Sequence, residues 1–249
     1  MSHANELPRQ AWYAVETSRH LEPGTVSLGL LFGQEFALWR DAAGRAHVWE
    51  NRCPHRSVRL TLGLVLGDQL ACRYHGWRYG TSGQCTGIPA HPGQVPPKAA
   101  CVRTYGCVER DGLVWTSVQP VPESACPDLR GACEPCRSYV LPLNAAAVVA
   151  AMTGDGGVRQ GEQIVRFPAE AVGGAAGSAV VVIQPIGANR TGLHLMLERT
   201  GTGTGTGANA DAGNNERIRA HVVANAAFKS LVARWQRTAA APSPEPIHA

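Results

Sequence analysis

No stretch of this 249-residue chain approaches the roughly 18 consecutive apolar residues that a membrane-crossing helix requires. The opening residues MSHANELPRQAW carry no apolar core of the kind found in a secretory leader. Nor is there a block of Lys and Arg: 23 basic and 19 acidic residues are scattered along the chain to a net charge of +4. That pattern excludes a basic nucleic-acid arm and leaves a mildly basic surface suited to an acidic partner. A hydrophobic content of 44% is enough to build a packed core, so disorder is not expected. Together these absences predict a soluble, cytoplasmic protein of one large or two small domains, with neither nucleic acid nor membrane among its partners. The state of oligomerisation stays open.

Short runs of strand character fill the first half, among them Val26–Phe32, Glu35–Arg40, His47–Glu50 and Gly112–Val118. Pro23-Gly24, Asp41–Gly44 and Asp111-Gly112 punctuate them as turns. This predicts an α+β protein whose N-terminal domain, residues 7–118, is antiparallel β. Residues 119–136 (QPVPESACPDLRGACEPC) lack periodicity and read as a linker or surface arm. A small α+β domain is expected over 137–238, with strands at Gln163–Phe167, Ala179–Ile186 and Leu193–Arg199. Within it the low-complexity run 200–215 (TGTGTGTGANADAGNN) reads as a flexible loop. From Glu216 to about Arg237, Phe228, Leu231, Val232 and Trp235 form one apolar stripe of an amphipathic helix, with Asn214 or Asn215 as its cap. Residues 239–249 are left as a tail.

Eight cysteines would suggest disulfides in a short secreted chain. Two of them, however, stand in mixed pairs with histidine: Cys53-Pro54-His55 and Cys72-Arg73-Tyr74-His75, a C-x-H-x16-C-x2-H pattern. Two thiolates on one iron and two imidazoles on the other are the ligands of a Rieske [2Fe–2S] centre. Each short pair fits on one tight loop, so that two neighbouring loops grip the cluster from either side. A tetrahedral zinc site is the alternative, although zinc pairs usually join Cys to Cys and His to His. Gly76, after the last ligand, permits close backbone approach to the inorganic sulfides. Trp49, Trp77 and Tyr79 flank the loops, either as a shell that limits water or as ordinary core aromatics. Neither reading gives them a relay role.

Through ENRCPHRSVRL, LACRYHGWRYGTSGQCTGIPA and VERDGLVWTSV, from about Leu7 to Val118, the sequence resembles the Rieske domain of the terminal oxygenase subunits of Rieske non-heme iron oxygenases. The resemblance implies one cluster per chain on Cys53, His55, Cys72 and His75. It also implies the low-potential oxygenase type, because respiratory Rieske proteins place an extra Cys in each cluster loop and Arg56-Ser57-Val58 has none.

Members of that family also bind a mononuclear Fe(II) through Asp-x2-His-x4-His soon after the Rieske domain. Here the corresponding stretch, Arg137 to Met152, contains no histidine. Only His194, His221 and His248 lie beyond the first domain, 27 residues apart each time. A mononuclear Fe(II) is therefore not expected, and no catalytic residue is assigned. His194 reads as a packed or solvent-facing strand residue, and Glu216 and His221 sit five apart on different sides of the helix. Cys126, Cys133 and Cys136 form C-x6-C-x2-C without a fourth ligand and are not expected to act. Cys85, Cys101 and Cys107 read as core or strand residues.

The expected function is an oxidoreductase component that moves single electrons in a ring-hydroxylating or demethylating system. A flavin or ferredoxin reductase would be its electron donor and a catalytic oxygenase subunit its acceptor. The alternatives are a self-sufficient mono- or dioxygenase with an unrecognised iron site, and a redox sensor.

Overall fold

The computed structural model describes residues 7–129, 133–174, 178–198 and 208–240. The chain divides into two units, Pro8–Gly131 and Ala132–Ala249. No helix among the described residues is long and apolar enough to cross a membrane.

In the N-terminal unit, turn chemistry fixes the strand pairing. Asp111 and Gly112 have φ of 54° and 72° and join strands Cys107–Arg110 and Leu113–Thr116 through a two-residue turn. Left-handed backbone at both positions gives such a turn the twist of the strands it connects. Phe32-Gly33 (φ 50° and 79°) does the same between Val26–Leu31 and Gln34–Arg40, so Phe32 belongs to the turn, not to the strand. Three antiparallel sheets result. One runs Tyr13–Thr17, Leu113–Thr116, Cys107–Arg110; a second runs Val26–Leu31, Gln34–Arg40, Ala46–Glu50, Thr104–Tyr105. The third, Leu64–Leu66, Gln69–Ala71, Arg78–Gly80 and Cys85–Gly87, is inserted within the second and carries one of the two Cys/His loops.

The segment beyond Val118 is strapped to this unit. Trp12 Nε1 donates to the Pro122 carbonyl at 2.9 Å, Arg110 Nη1 to that of Cys126 at 2.8 Å, and the Leu129 amide to Asp111 Oδ2 at 2.8 Å.

The second unit is a five-stranded antiparallel sheet in the order Cys133–Leu141, Arg190–Glu198, Ala179–Gly187, Ile164–Phe167, Val158–Arg159. Two helices accompany it, α1 (Ala145–Gly154) and α2 (Ala208–Ala240). The Asn144 side chain caps α1 by accepting from the Ala147 amide at 2.8 Å. Phe228, Val232 and Trp235 are buried along α2, with the Phe228 ring 5.4 Å from Tyr139 and 6.1 Å from Phe167.

Three expectations change here. Cys133 and Cys136, placed above in the linker, lie in a nine-residue strand. Pro135 disguised it: a proline is tolerated only at an edge or a bulge, and this strand is an edge with a register shift between Pro135 and Arg137. The loop expected over 200–215 is helical from Ala208 onward, its residues 200–207 lying outside the described residues, as do 241–249 of the expected tail. Alanine at 208, 210 and 212 supplies the helix propensity that the repetitive look of the run concealed. Asn214 and Asn215 consequently sit inside α2 and do not cap it.

Candidate metal centre

Two loops built on one plan bring the four sequence-predicted residues together. In the first, the Cys53 amide donates to the Val58 carbonyl at 2.8 Å and the Ser57 amide returns to the Cys53 carbonyl at 2.8 Å. In the second, the Cys72 amide donates to Trp77 at 2.8 Å and the Gly76 amide returns to Cys72 at 2.9 Å. The closing residue is left-handed in both, Ser57 at φ 55° and Gly76 at φ 68°. Each loop thus presents its cysteine at the base and its histidine two or three residues along the rim.

The four donors split by exposure. Cys53 and Cys72 are 2% and 3% exposed, in a core cluster with Trp49, Leu60, Leu70 and Tyr79. His55 is half-buried and His75 exposed, their rings 4.8 Å apart. Trp77 stacks on His55 at 4.3 Å with planes 7° apart, and Tyr74 lies 3.9 Å from the His75 ring.

Electrostatics agrees with a cationic guest. Burial pushes the Cys72 thiol pKa up, and the neighbouring Cys53 pushes it further. Two thiolates side by side in such a pocket require positive charge between them, which a metal centre provides. His55 is pushed below the usual imidazole range by desolvation, then by His75 and Arg56, which favours the neutral, ligating ring. Tyr79 Oη lies 3.1 Å from Cys53 Sγ. Burial, followed by Cys53, raises the tyrosine pKa, so the hydroxyl keeps its proton and donates it to the sulfur. Two soft, buried donors facing two imidazoles suit a dinuclear cluster with unlike irons. Among the described residues no three His, Cys, Asp or Glu side chains converge on a single ion position. A dinuclear cluster, taking two protein ligands at each iron, does not require that.

The remaining sequence candidates are dispersed. His194 is buried, with Nδ1 2.9 Å from Ser138 Oγ and Nε2 3.1 Å from Gln184 Oε1. His221 Nε2 meets Glu134 Oε1 at 2.6 Å, while Glu216 is exposed on α2. His248 lies outside the described residues. No disulfide joins any of the eight cysteines, all of which lie within the described residues; Cys101 is exposed rather than packed, and the Cys136 thiol points to the His221 carbonyl at 3.7 Å. Sequence reasoning missed three contributors: Tyr79 as a donor to Cys53, Trp77 as the stacking partner of His55, and Ser57 as the counterpart of Gly76. Only the last had a readable signal, the position four residues after each cysteine.

The comparisons with known proteins meet this geometry. The Rieske [2Fe-2S] domain family matches residues 11–106. The chain is 46% identical over 120 residues to Oxidoreductase NdmD of Pseudomonas putida, covering 47% of this chain and 20% of that protein. It is 42% identical over 106 residues to 4beta-methylsterol monooxygenase of Methylococcus capsulatus, 42% of this chain and 29% of that one. The matches therefore span less than a third of either relative. Apo dicamba monooxygenase shares the fold at a TM-score of 0.68 and 18% identity, over 95% of this chain and 89% of that one. The bound cofactor these findings give is a Rieske-type [2Fe–2S] cluster.

Proposed function

Residues 11–106 are a Rieske [2Fe–2S] domain related to those of Rieske non-heme iron oxygenases, and on that premise we propose that this chain moves single electrons within an oxygenase-type system. In this reading Cys53 and Cys72 hold one iron and His55 and His75 the other. When bound, the cluster supplies a one-electron couple, above the roughly −400 mV of an all-cysteine plant-type ferredoxin.

The chain's own residues do the rest. The core around Cys53 and Cys72 keeps water from the thiolate side, while the rims of His55 and His75 face outward as the port for electrons. Tyr79 donates to Cys53 Sγ and Trp77 fixes the plane of His55. The observation that carries the proposal is this asymmetry, buried sulfur beneath exposed imidazole. A flavin or ferredoxin reductase would deliver the electron, and an oxygenase subunit holding a mononuclear iron would receive it. To test it, the loaded protein is mixed with a reductase and with candidate aromatic or N-methylated substrates. Cluster reduction without product supports the carrier; hydroxylated or demethylated product from these components alone contradicts it.

One observation favours a second reading, an oxygenase in its own right performing hydroxylation or demethylation. The likeness to dicamba monooxygenase extends over both units, not the Rieske domain alone. That reading requires a third iron on each chain.

A further inference from the structure

In the second unit three polar side chains stand in line across neighbouring strands. Ser138 of Cys133–Leu141 pairs with His194 of Arg190–Glu198, and their side chains meet, Oγ 2.9 Å from Nδ1. On its other side His194 Nε2 reaches Gln184 Oε1 of strand Ala179–Gly187 at 3.1 Å. A carbonyl oxygen only accepts, so Nε2 carries the ring proton, Nδ1 is left as a base, and the Ser138 hydroxyl donates to it. The line is built into the sheet. Gln184 pairs with Gly192 and so lies diagonal to His194. A Cβ at Gly192 would stand 2.6 Å from Gln184 Oε1, so glycine there leaves the amide its room. His194 and Gln184 are buried, while Ser138 is exposed. Their face of the sheet also holds Val180, Val182 and Met196, all fully buried, and burying an imidazole and an amide among them costs desolvation that packing does not require. A serine within hydrogen-bond reach of a base, the base oriented by a third group, is the arrangement that activates a hydroxyl.

We propose that Ser138 is a nucleophile with His194 as its general base, and that this edge of the sheet hydrolyses esters carrying a short apolar acyl group. Gln184 is a positioning residue: it holds the ring in the tautomer that takes the serine proton. The acyl preference follows from Val140, exposed two residues further along the strand and therefore on the same face as Ser138. Its cross-strand partner is Gly192, so no side chain fills the surface beside it. Cys133–Leu141 is the edge strand of its sheet, and amides outside the ladder are donors for an oxyanion. In the first half-reaction Ser138 Oγ attacks the ester carbonyl carbon and its proton passes to His194 Nδ1. The bond to the alcohol oxygen breaks, and the alcohol leaves with that proton. Water then attacks the acyl-serine and gives a proton to Nδ1; the bond to Oγ breaks, Oγ takes the proton back, and the carboxylic acid departs. No electron changes hands, so the activity is independent of the cluster. A neutral amide supports the transient imidazolium less than a carboxylate would, which makes the turnover slow.

The full-length, cluster-loaded protein is incubated with p-nitrophenyl butyrate and, separately, with an alkyl fluorophosphonate, which bonds through phosphorus to an activated serine with loss of fluoride. Wild type should release p-nitrophenol above the buffer rate. It should also take up a phosphonyl group, located on Ser138 by peptide mass spectrometry and slowed by excess p-nitrophenyl butyrate. Ser138→Ala should lose both reactions with its cluster absorption unchanged. His194→Gln should slow labelling by roughly 100-fold. Where His194→Gln does not fold, Gln184→Glu carries the test. Nearly identical in shape, it keeps the ring tautomer and adds a charge that supports the imidazolium, so labelling should quicken by roughly tenfold or more. A residue that only fills space would give no such gain. Wild type that is not labelled at Ser138, hydrolysis that persists in Ser138→Ala, or a Gln184→Glu rate no higher than that of wild type would overturn the proposal.

Discussion

Tyr79 Oη lies 3.1 Å from Cys53 Sγ, and both groups are shut off from solvent. A hydroxyl donating to a metal-bound thiolate stabilises the reduced, more negative cluster more than the oxidised one. Tyr79→Phe removes the donor while keeping the ring. At roughly 1 kcal/mol of differential hydrogen bonding, the midpoint potential should fall by about 40 mV. Protein-film voltammetry of the two proteins reads this directly; an unchanged potential would mean that Tyr79 serves packing alone.

The matched loops predict unequal consequences for matched positions. Gly76 is left-handed at φ 68°, and a Cβ there would meet Pro89 Cγ at 3.1 Å. Gly76→Ala should cost roughly 1–2 kcal/mol of loop stability and lower the iron content of the purified protein. Ser57 already bears the left-handed strain at φ 55°, so Ser57→Gly should retain the cluster fully and bleach more slowly on heating. Cluster absorbance against temperature distinguishes the pair; equal behaviour would refute the shared loop plan.

How far these features were legible in the sequence depends on whether the signal was local. Cys53, His55, Cys72 and His75 could be read because each pair occupies one short loop, and Asp111-Gly112 because a two-residue turn is decided by its own residues. Tyr79 could not, since its meeting with Cys53 spans 26 residues of chain and depends on how strand Arg78–Gly80 packs. Pro135 and the Thr-Gly repeat misled because edge position and alanine content outweighed them. In the second unit the sheet order and α1 left no periodic trace strong enough to read.

Acid should find a specific weak point at Asp41, whose side chain is fully buried. Burial alone would raise its pKa, but hydrogen bonds from His47 and from the backbone and side chain of Arg45 outweigh this and hold it at about 2. The folded value lies below the unfolded one, near 3.9. The stabilisation is therefore complete above about pH 4 and is lost as the pH falls toward 2. In urea titrations the wild type should exceed Asp41→Asn in stability at neutral pH, and the gap should narrow below about pH 4. A gap that stays constant down to pH 2 would contradict the assignment.

Asp155, just past the end of α1, clamps α2. Its Oδ2 accepts from Trp235 Nε1 at 2.6 Å and pairs with Arg234 at 2.6 Å. Asp155→Ala strands a buried indole N–H and should destabilise the C-terminal unit by roughly 1–3 kcal/mol. Arg234→Ala, at a half-exposed position, should cost less than about 1 kcal/mol. Hydrogen exchange over α2 resolves the two, and the reverse order would place the clamp on the ion pair.

Iron per chain, measured together with the EPR spectrum of the reduced protein after anaerobic loading with excess Fe(II) and sulfide, bears most directly on the carrier reading. The expected result is two irons and the rhombic signal of an imidazole-ligated [2Fe–2S] cluster, with that signal lost in His55→Ala and in His75→Ala. A reproducible third iron, or a rhombic signal that survives either substitution, would contradict it.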